Sequence, residues 1–344
     1  MKSVSGAPQA RIADVAALAG VGEATVSRVL NGRANVRPAT REKVLEAIRA
    51  LDYRPSSVAR SLSLGRTMVI GVVVPWFTHA SAVERVRGIV ASLGESPYEL
   101  MLYDVESEDR QRRAFELLDR GDRADGLLIV STLPTDSDFG RLRAAHVPCV
   151  LVDARHPSIP SVVVDDVAGG EMATRHLIEL GHTRIAFIGD TPPEFRFEWS
   201  RDRTLGYEGA LERAGLEHRE HYVREGTRSR HVARSIAAEL LSLDERPTAI
   251  FAASDTQALG VLEAARSLGI RVPDQLSVVG FDDVEVAAYV GLTTVRQPLF
   301  ESGRRGGELL LRALDGHPLA AHSELMPLEL VVRGTTGPPP RAVA

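Results

Sequence analysis

Beyond residue 66 short apolar runs alternate with amphipathic stretches, and nothing else in the 344-residue chain restricts its fold so tightly. "MVIGVVV", "ELMLYDV", "DGLLIV" and "CVLVD" read as strands, separated by helical stretches such as "ASAVERVRGIVASL" and "EDRQRRAFELLDRG". After "SVVVDD" the alternation resumes with "RIAFIGD", "AIFAAS" and "SVVGFDD". Strands apolar along most of their length are buried on both faces, so they require parallel sheets covered by helices. Two such runs predict two similar lobes. In doubly wound sheets a ligand binds beyond the carboxyl ends of the strands. Residues that end strands should therefore line a cleft between the lobes.

The first 64 residues follow another pattern. In "RIADVAALAGVGEATVSRVLNG", Ile12, Val15, Ala16 and Ala19 recur at helical intervals, and Gly20-Val21-Gly22 breaks the run. Val26, Val29 and Leu30 then form a second apolar face. Two short helices joined by a glycine-containing turn make a helix-turn-helix, with Gly20 free to take the positive φ of the turn. "ATREKVLEAIRALDY" closes a three-helix core by burying Val44, Leu45, Ile48 and Leu51. The second helix exposes an acid, hydroxyls and an arginine. An arginine can bond guanine O6 and N7 together, a glutamate can accept from cytosine N4, and an alanine can pack on a thymine methyl. Thr25, Ser27 and Asn31 would bond phosphates, which positions a helix without reading sequence.

Charge supports that use. The net charge of −5 hides ten basic against five acidic residues in positions 1–64, and 31 against 41 in the remainder. A basic head on an acidic body suits a head that meets a polyanion. The single cysteine, Cys149, leaves neither a disulfide framework nor a cysteine-rich zinc site. "MKSVSGAPQAR" lacks the apolar stretch of a secretory signal, and "MVIGVVVPWF" is too short to span a bilayer, so a cytoplasmic, nucleoid-associated protein without a membrane partner is expected.

Catalytic patterns are scarce. There is no phosphate loop, no His-Glu-x-x-His and no Gly-x-Ser-x-Gly, and no enzyme, cofactor or metal is expected. His176 and His182 read as parts of a helix and its cap. The adjacent acids Asp165-Asp166 and Asp282-Asp283 point apart at strand ends, which leaves loop or capping roles for at least one of each pair. A transport binding protein would share the body but carry a signal peptide and no basic head.

"IADVAALAGVGEATVSRVLNG" and "TREKVLEAIRALDYRPSSVARSL" resemble the DNA-binding head and hinge of the LacI/GalR family of bacterial repressors. "HLIELGHTRIAFIGD", "RTLGYEGAL", "ASDTQALGVLEAARSLGIRVPDQLSVVGFDD" and "LTTVRQP" resemble its effector domain, which is similar to periplasmic sugar-binding proteins. The resemblance implies an α + α/β chain: a helix-turn-helix three-helix head, a hinge helix, and a two-lobed periplasmic-binding-protein-like body of doubly wound parallel sheets. A tail at 1–10 precedes the head at 11–54, the hinge at 55–65 and the body at 66–336, with a further tail at 337–344. Lobe one takes 67–165 plus 295–318, and lobe two takes 166–294 plus 319–336.

By the same resemblance Glu23, Ala24 and Arg28 read bases, and Asn35, Tyr53, Ser56 and Ala59 add contacts. Leu62 wedges between base pairs from the minor groove. The family usually has serine where this chain has Gly22, which removes one phosphate contact. In the body Arg203 and Asp282 match the pair that grips ligand hydroxyls, Asp153 faces them, and Ser254 and Asp255 end "FAASD". Trp76 and Phe77 would form an apolar platform under a sugar ring, although "PWFTHASAV" lacks the polar loop common in the family. The implied protein is a repressor that binds double-stranded, palindromic operator DNA as a homodimer. A small effector, a sugar or sugar derivative, switches it, as inducer or as corepressor.

Overall fold

The structure is a computed structural model and describes residues 10–30, 35–53, 65–94, 96–190 and 198–340. Contacts divide the chain into a head, Met1–Met68, and a body, Val69–Ala344.

Among the described residues three helices build the head: α1 (Ile12–Ala19), α2 (Glu23–Leu30) and α3 (Pro38–Ala50). Gly20 ends α1 at φ +67°, where a side chain would be strained. Two residues on, the Gly22 carbonyl accepts from Thr25 and Val26 N–H and starts α2. Val15, Ala16, Ala19, Val26, Val29, Val44 and Ala47 are buried together. Leu45, expected in this core, is 44% exposed. On α3 the seam runs through Val44, Ala47 and Ile48, and Leu45 sits one residue round from it, about 100° away.

The body contains two six-stranded sheets of matching order. In the first, β1 (Val69–Val74) lies between β2 (Glu99–Asp104) and β3 (Gly126–Val130). The sheet continues through β4 (Cys149–Val152) and β5 (Ser161–Val163) to β11 (Ser323–Leu325). In the second, β6 (Ile185–Asp190) lies between β7 (Val223–Gly226) and β8 (Ala249–Ala252). Beyond β8 come β9 (Ser277–Asp282), β10 (Thr293–Arg296) and β12 (Glu329–Val331). Every neighbouring pair is parallel except β10 with β12. The eight apolar runs read from the sequence all form strands. The other four, β7, β10, β11 and β12, carry no comparable run; β7, β11 and β12 are edge strands and β10 lies next to one.

The chain crosses between the sheets after Val163, after Arg296 and after Leu325. The first crossing falls where expected. Two boundaries move: Val295 and Arg296 pair with β9 in the second sheet, and Ser323–Leu325, assigned to lobe two, pairs with β5 in the first. Each segment is only three or four residues long, so its pairing depends on the neighbour it meets rather than on its own pattern.

Helices cover both faces: α4 (Ala80–Leu93), α5 (Glu108–Leu118), α6 (Asp136–Ala144) and α12 (Leu299–Leu314) in lobe one. Lobe two has α7 (Asp166–Glu179), α8 (Glu198–Arg213), α9 (Arg230–Leu241), α10 (Asp255–Ser267) and α11 (Glu285–Val290). Glycines let α4 and α12 touch backbone to backbone: a Cβ on Gly88 would collide with the Phe300 carbonyl, and one on Gly303 with the Arg85 carbonyl. At the far end of the second sheet His182 is buried, its ring bonded to Thr248, Ser277 and the Gly337 carbonyl at 2.9–3.0 Å. It thus pins the segment after β12 rather than binding a metal. Among the described residues no group of His, Cys, Asp and Glu could hold a metal ion, and no helix is long and apolar enough to cross a membrane.

Candidate reading helix and interlobe cleft

In the head, Glu23, Ala24 and Arg28 are exposed on α2 while Val26 and Val29 are buried, so helical spacing separates a presented face from an anchored one. Thr25 and Ser27 are partly buried at its flanks and Asn35 is exposed. Tyr53, expected on DNA, is largely buried with the head core. Asn31, Ser56, Ala59 and Leu62 lie outside the described residues.

In the body the carboxyl ends of β1, β3, β4 and β9 share an unusual backbone. Trp76, Ser131, Asp153 and Asp282 have φ of 45°, 51°, 62° and 114°. Non-glycine residues pay about 1–3 kcal/mol for such conformations and hold them where surrounding contacts over-determine them. Here they stand at the carboxyl ends of their strands, the edge where ligands bind in doubly wound sheets.

A buried polar chain connects the two lobes. Asp153 accepts from Ser131 Oγ at 2.6 Å and pairs with Arg85 Nη2 at 2.7 Å. Arg85 Nη2 also donates to Gln297 Oε1 at 3.0 Å, and Gln297 Nε2 donates to Asp282 Oδ1 at 2.6 Å. Arg203 Nη1 lies 3.9 Å from Asp282, donates to the Ala253 carbonyl at 2.6 Å, and Nε bonds Asp166 at 2.8 Å. The guanidinium lies 3.7 Å over the Phe281 ring. Asp166 and Gln297 stand beside the first and second crossings, so the chain ties the crossings together. Burial pushes the Asp166 carboxyl up to about 6 despite the Arg203 guanidinium beside it. The buried Nε of Arg85 finds no acceptor among the described residues.

A second set lies nearby. Arg228 bonds Asp190 Oδ2 through Nε at 2.9 Å, reaches Ser81 of lobe one at 3.5 Å, and lies 4.0 Å over the Trp199 ring. Trp199 packs against Trp76 across the lobes, and Trp76 stacks on His79 at 5.8 Å. Burial, helped by Arg228, lowers His79 to about 4, so its ring is neutral.

Trp76, Asp153, Arg203 and Asp282 thus belong to one network of contacts, through Trp199, Arg85 and Gln297. The structure places three other candidates elsewhere. Phe77 is 36% exposed, its N–H bonded to Asp104. Ser254 is fully buried as the cap of α10, and its hydroxyl donates to Gln257, which in turn holds Asp190. Asp255 is also fully buried, accepting from Thr294 Oγ1 at 2.6 Å and Val284 N–H at 2.9 Å, and so pins β10 to the loop after β9. Sequence reasoning missed Arg85, Asp190, Trp199, Arg228 and Gln297. Asp190 was findable, because it ends its strand as Asp153 and Asp282 do. The arginines sit mid-helix and mid-loop, where nothing local marks burial.

Burial, reinforced by Asp282, raises Asp255 from 3.8 to about 8. Between those values the folded chain keeps a proton that the unfolded chain has lost, so stability falls as pH rises through that window. We expect the wild-type melting temperature to fall from about pH 5 to about pH 8, and Asp255→Asn to flatten that slope. Melting curves across this range check it, and parallel slopes would count against the assignment.

A head that presents one helix face, carried on a two-lobed body with a polar cleft, defines a DNA-binding regulator with a binding-protein-like domain. The model for bacterial regulatory proteins of the lacI family matches residues 11–56, and that for a periplasmic binding protein-like domain matches residues 174–336. Catabolite control protein A of Priestia megaterium is 35% identical over 331 residues, covering 94% of this chain and 98% of its own. The ribose operon repressor of Escherichia coli K12 is 35% identical over 326 residues, covering 89% and 93%. Among solved structures, the lac repressor dimer bound to operator and the anti-inducer ONPF superposes with a TM-score of 0.83 at 29% identity, covering 95% and 99%. The transcriptional regulator CelR in complex with cellobiose gives 0.70 at 34%, with the same coverage. The chain belongs to the LacI family of bacterial transcriptional regulators, and its relatives are repressors, not enzymes.

Proposed function

We propose that this chain is a repressor that binds a palindromic operator as a homodimer and is switched by a small carbohydrate in the cleft. The buried chain from Asp153 to Asp166 carries the effector half of this reading, because it links strand ends of both lobes through the crossings. Carboxylates accept, and guanidinium and amide groups donate, which matches the alternating needs of sugar hydroxyls. Trp76 and Trp199 supply apolar faces for a ring. A sugar that replaces part of this chain shifts one lobe against the other, a closure that changes the geometry of the paired hinges and hence operator affinity. The role would place the protein with DNA in the cytoplasm. Ribose and cellobiose, named with relatives of this chain, are reasonable first probes.

Two-fold symmetry would set two α2 helices in successive major grooves, with Arg28 on a guanine edge. An operator selected from random duplexes should be palindromic, and Arg28→Ala should bind it about 1–3 kcal/mol more weakly and with relaxed preference at one base pair. Fluorescence anisotropy measures both. Unchanged affinity and preference would remove α2 as the reader, and titrating sugars into the complex gives the sign of the response.

A further inference from the structure

The cleft's charges are matched in pairs, which bears on what it admits. Arg85 faces Asp153 at 2.7 Å, Arg203 faces Asp166 at 2.8 Å, and Arg228 faces Asp190 at 2.9 Å. Asp282 has no arginine of its own; its nearest is Arg203 at 3.9 Å, and Gln297 supplies its short bond. Among the described residues these four carboxylates meet three guanidiniums. Arg228 differs from the other two. It stands on the second sheet's switch-point side, stacks on Trp199 and reaches across to Ser81 of lobe one. Asp190 is itself fixed from behind, since Gln257 Nε2 donates to its other oxygen at 2.7 Å and Ser200 Oγ donates to its backbone carbonyl. An arginine so placed would receive a phosphate or carboxylate readily were its charge not already met.

We propose that Asp190 sets the charge of the effector: by neutralising Arg228 it makes the cleft take an uncharged, hydroxyl-rich ring and turn away phosphorylated or acidic sugars. The proposal rests on the carbohydrate reading of the cleft and narrows it. An uncharged sugar gives hydroxyl protons to the carboxylates without disturbing any ion pair. A phosphate must either pull Arg228 from Asp190, leaving that acid buried and unpaired, or sit near Asp282, which only shares Arg203 with Asp166.

The test uses the full-length protein and matched probes: glucose with glucose 6-phosphate and glucuronate, ribose with ribose 5-phosphate, and cellobiose. Affinity is read by calorimetry and by thermal shift. For whichever neutral sugar binds, its charged counterpart should bind wild type at least tenfold more weakly. Asp190→Asn, which leaves Arg228 without its carboxylate, should shrink or invert that ratio by at least tenfold. A wild-type protein that binds the phosphate or uronate as tightly as the neutral sugar overturns the proposal. If Arg203→Lys abolishes that anion binding, the cleft reading survives without the charge rule. If no probe of either charge binds, the carbohydrate reading fails and the proposal with it. Should Asp190→Asn not fold, the wild-type ratio alone decides.

Discussion

Gly303→Ala should cost the body about 3 kcal/mol and lower its melting temperature by roughly 6–12 °C, although alanine is the better helix former by about 1 kcal/mol. The reason is that Gly303 meets no yielding side chain. Its missing Cβ would lie on the Arg85 carbonyl, and the reciprocal Gly88 faces the Phe300 carbonyl. Backbone cannot rotate away as a leucine tip can, so α4 and α12 must separate along their length. That separation also moves Arg85, which holds both Asp153 and Gln297, so any response to a cleft ligand should weaken with stability. Gly140→Ala is the control. Gly140 lies within α6 with open space where a Cβ would go, and substitution there should be neutral or slightly stabilising. Differential scanning calorimetry of the two variants decides the matter: equal melting temperatures would mean that the helices do not touch as described.

Arg203→Ala should cost about 3–5 kcal/mol, because it strands a buried carboxylate whose partner is gone. Arg203 is 1% exposed and serves Asp166, the Ala253 carbonyl and Asp282 at once. The family resemblance treats it as a ligand-gripping residue; its burial and bonds give it a structural role as well. Asp166, already raised to about 6, has one escape, which is to take up a proton. Without the guanidinium that carboxyl rises further, so the deficit of the variant should shrink as pH falls toward about 6 and level off below it. The double variant Arg203→Ala/Asp166→Asn removes both charges and should regain part of the loss at neutral pH. A single variant as stable as wild type would refute the buried pair. A double variant that folds yet gives no calorimetric signal with a sugar that binds wild type separates the ligand role of Arg203 from its structural one.

The elements with their own periodicity were readable one residue at a time. Apolar strands such as Val69–Val74 and Ser277–Asp282, the exposed face of α2 and the turn at Gly20 each follow from spacing, because local burial and backbone freedom are written into a few consecutive residues. Asp153 and Asp282 came from the family resemblance; the rule that strand ends line the cleft, applied to every strand, also reaches Asp190. Leu45 was misjudged for the opposite reason: leucine suits either surface or core, and the seam of the third helix, through Val44, Ala47 and Ile48, passes one residue from it.

The sequence on its own determined a small basic three-helix head, two alternating sheets and the acids that end their strands. Only the tertiary structure decided which partner each of those acids meets. Ser254 and Asp255 look like cleft residues until their neighbours 29 to 39 positions away, Val284 and Thr294, are seen to occupy Asp255. Arg85, Arg228 and Gln297 look like surface residues until the crossings fold them inward. Charge pairing depends on distances of about 3 Å between groups far apart in the chain, and no local pattern encodes such a distance.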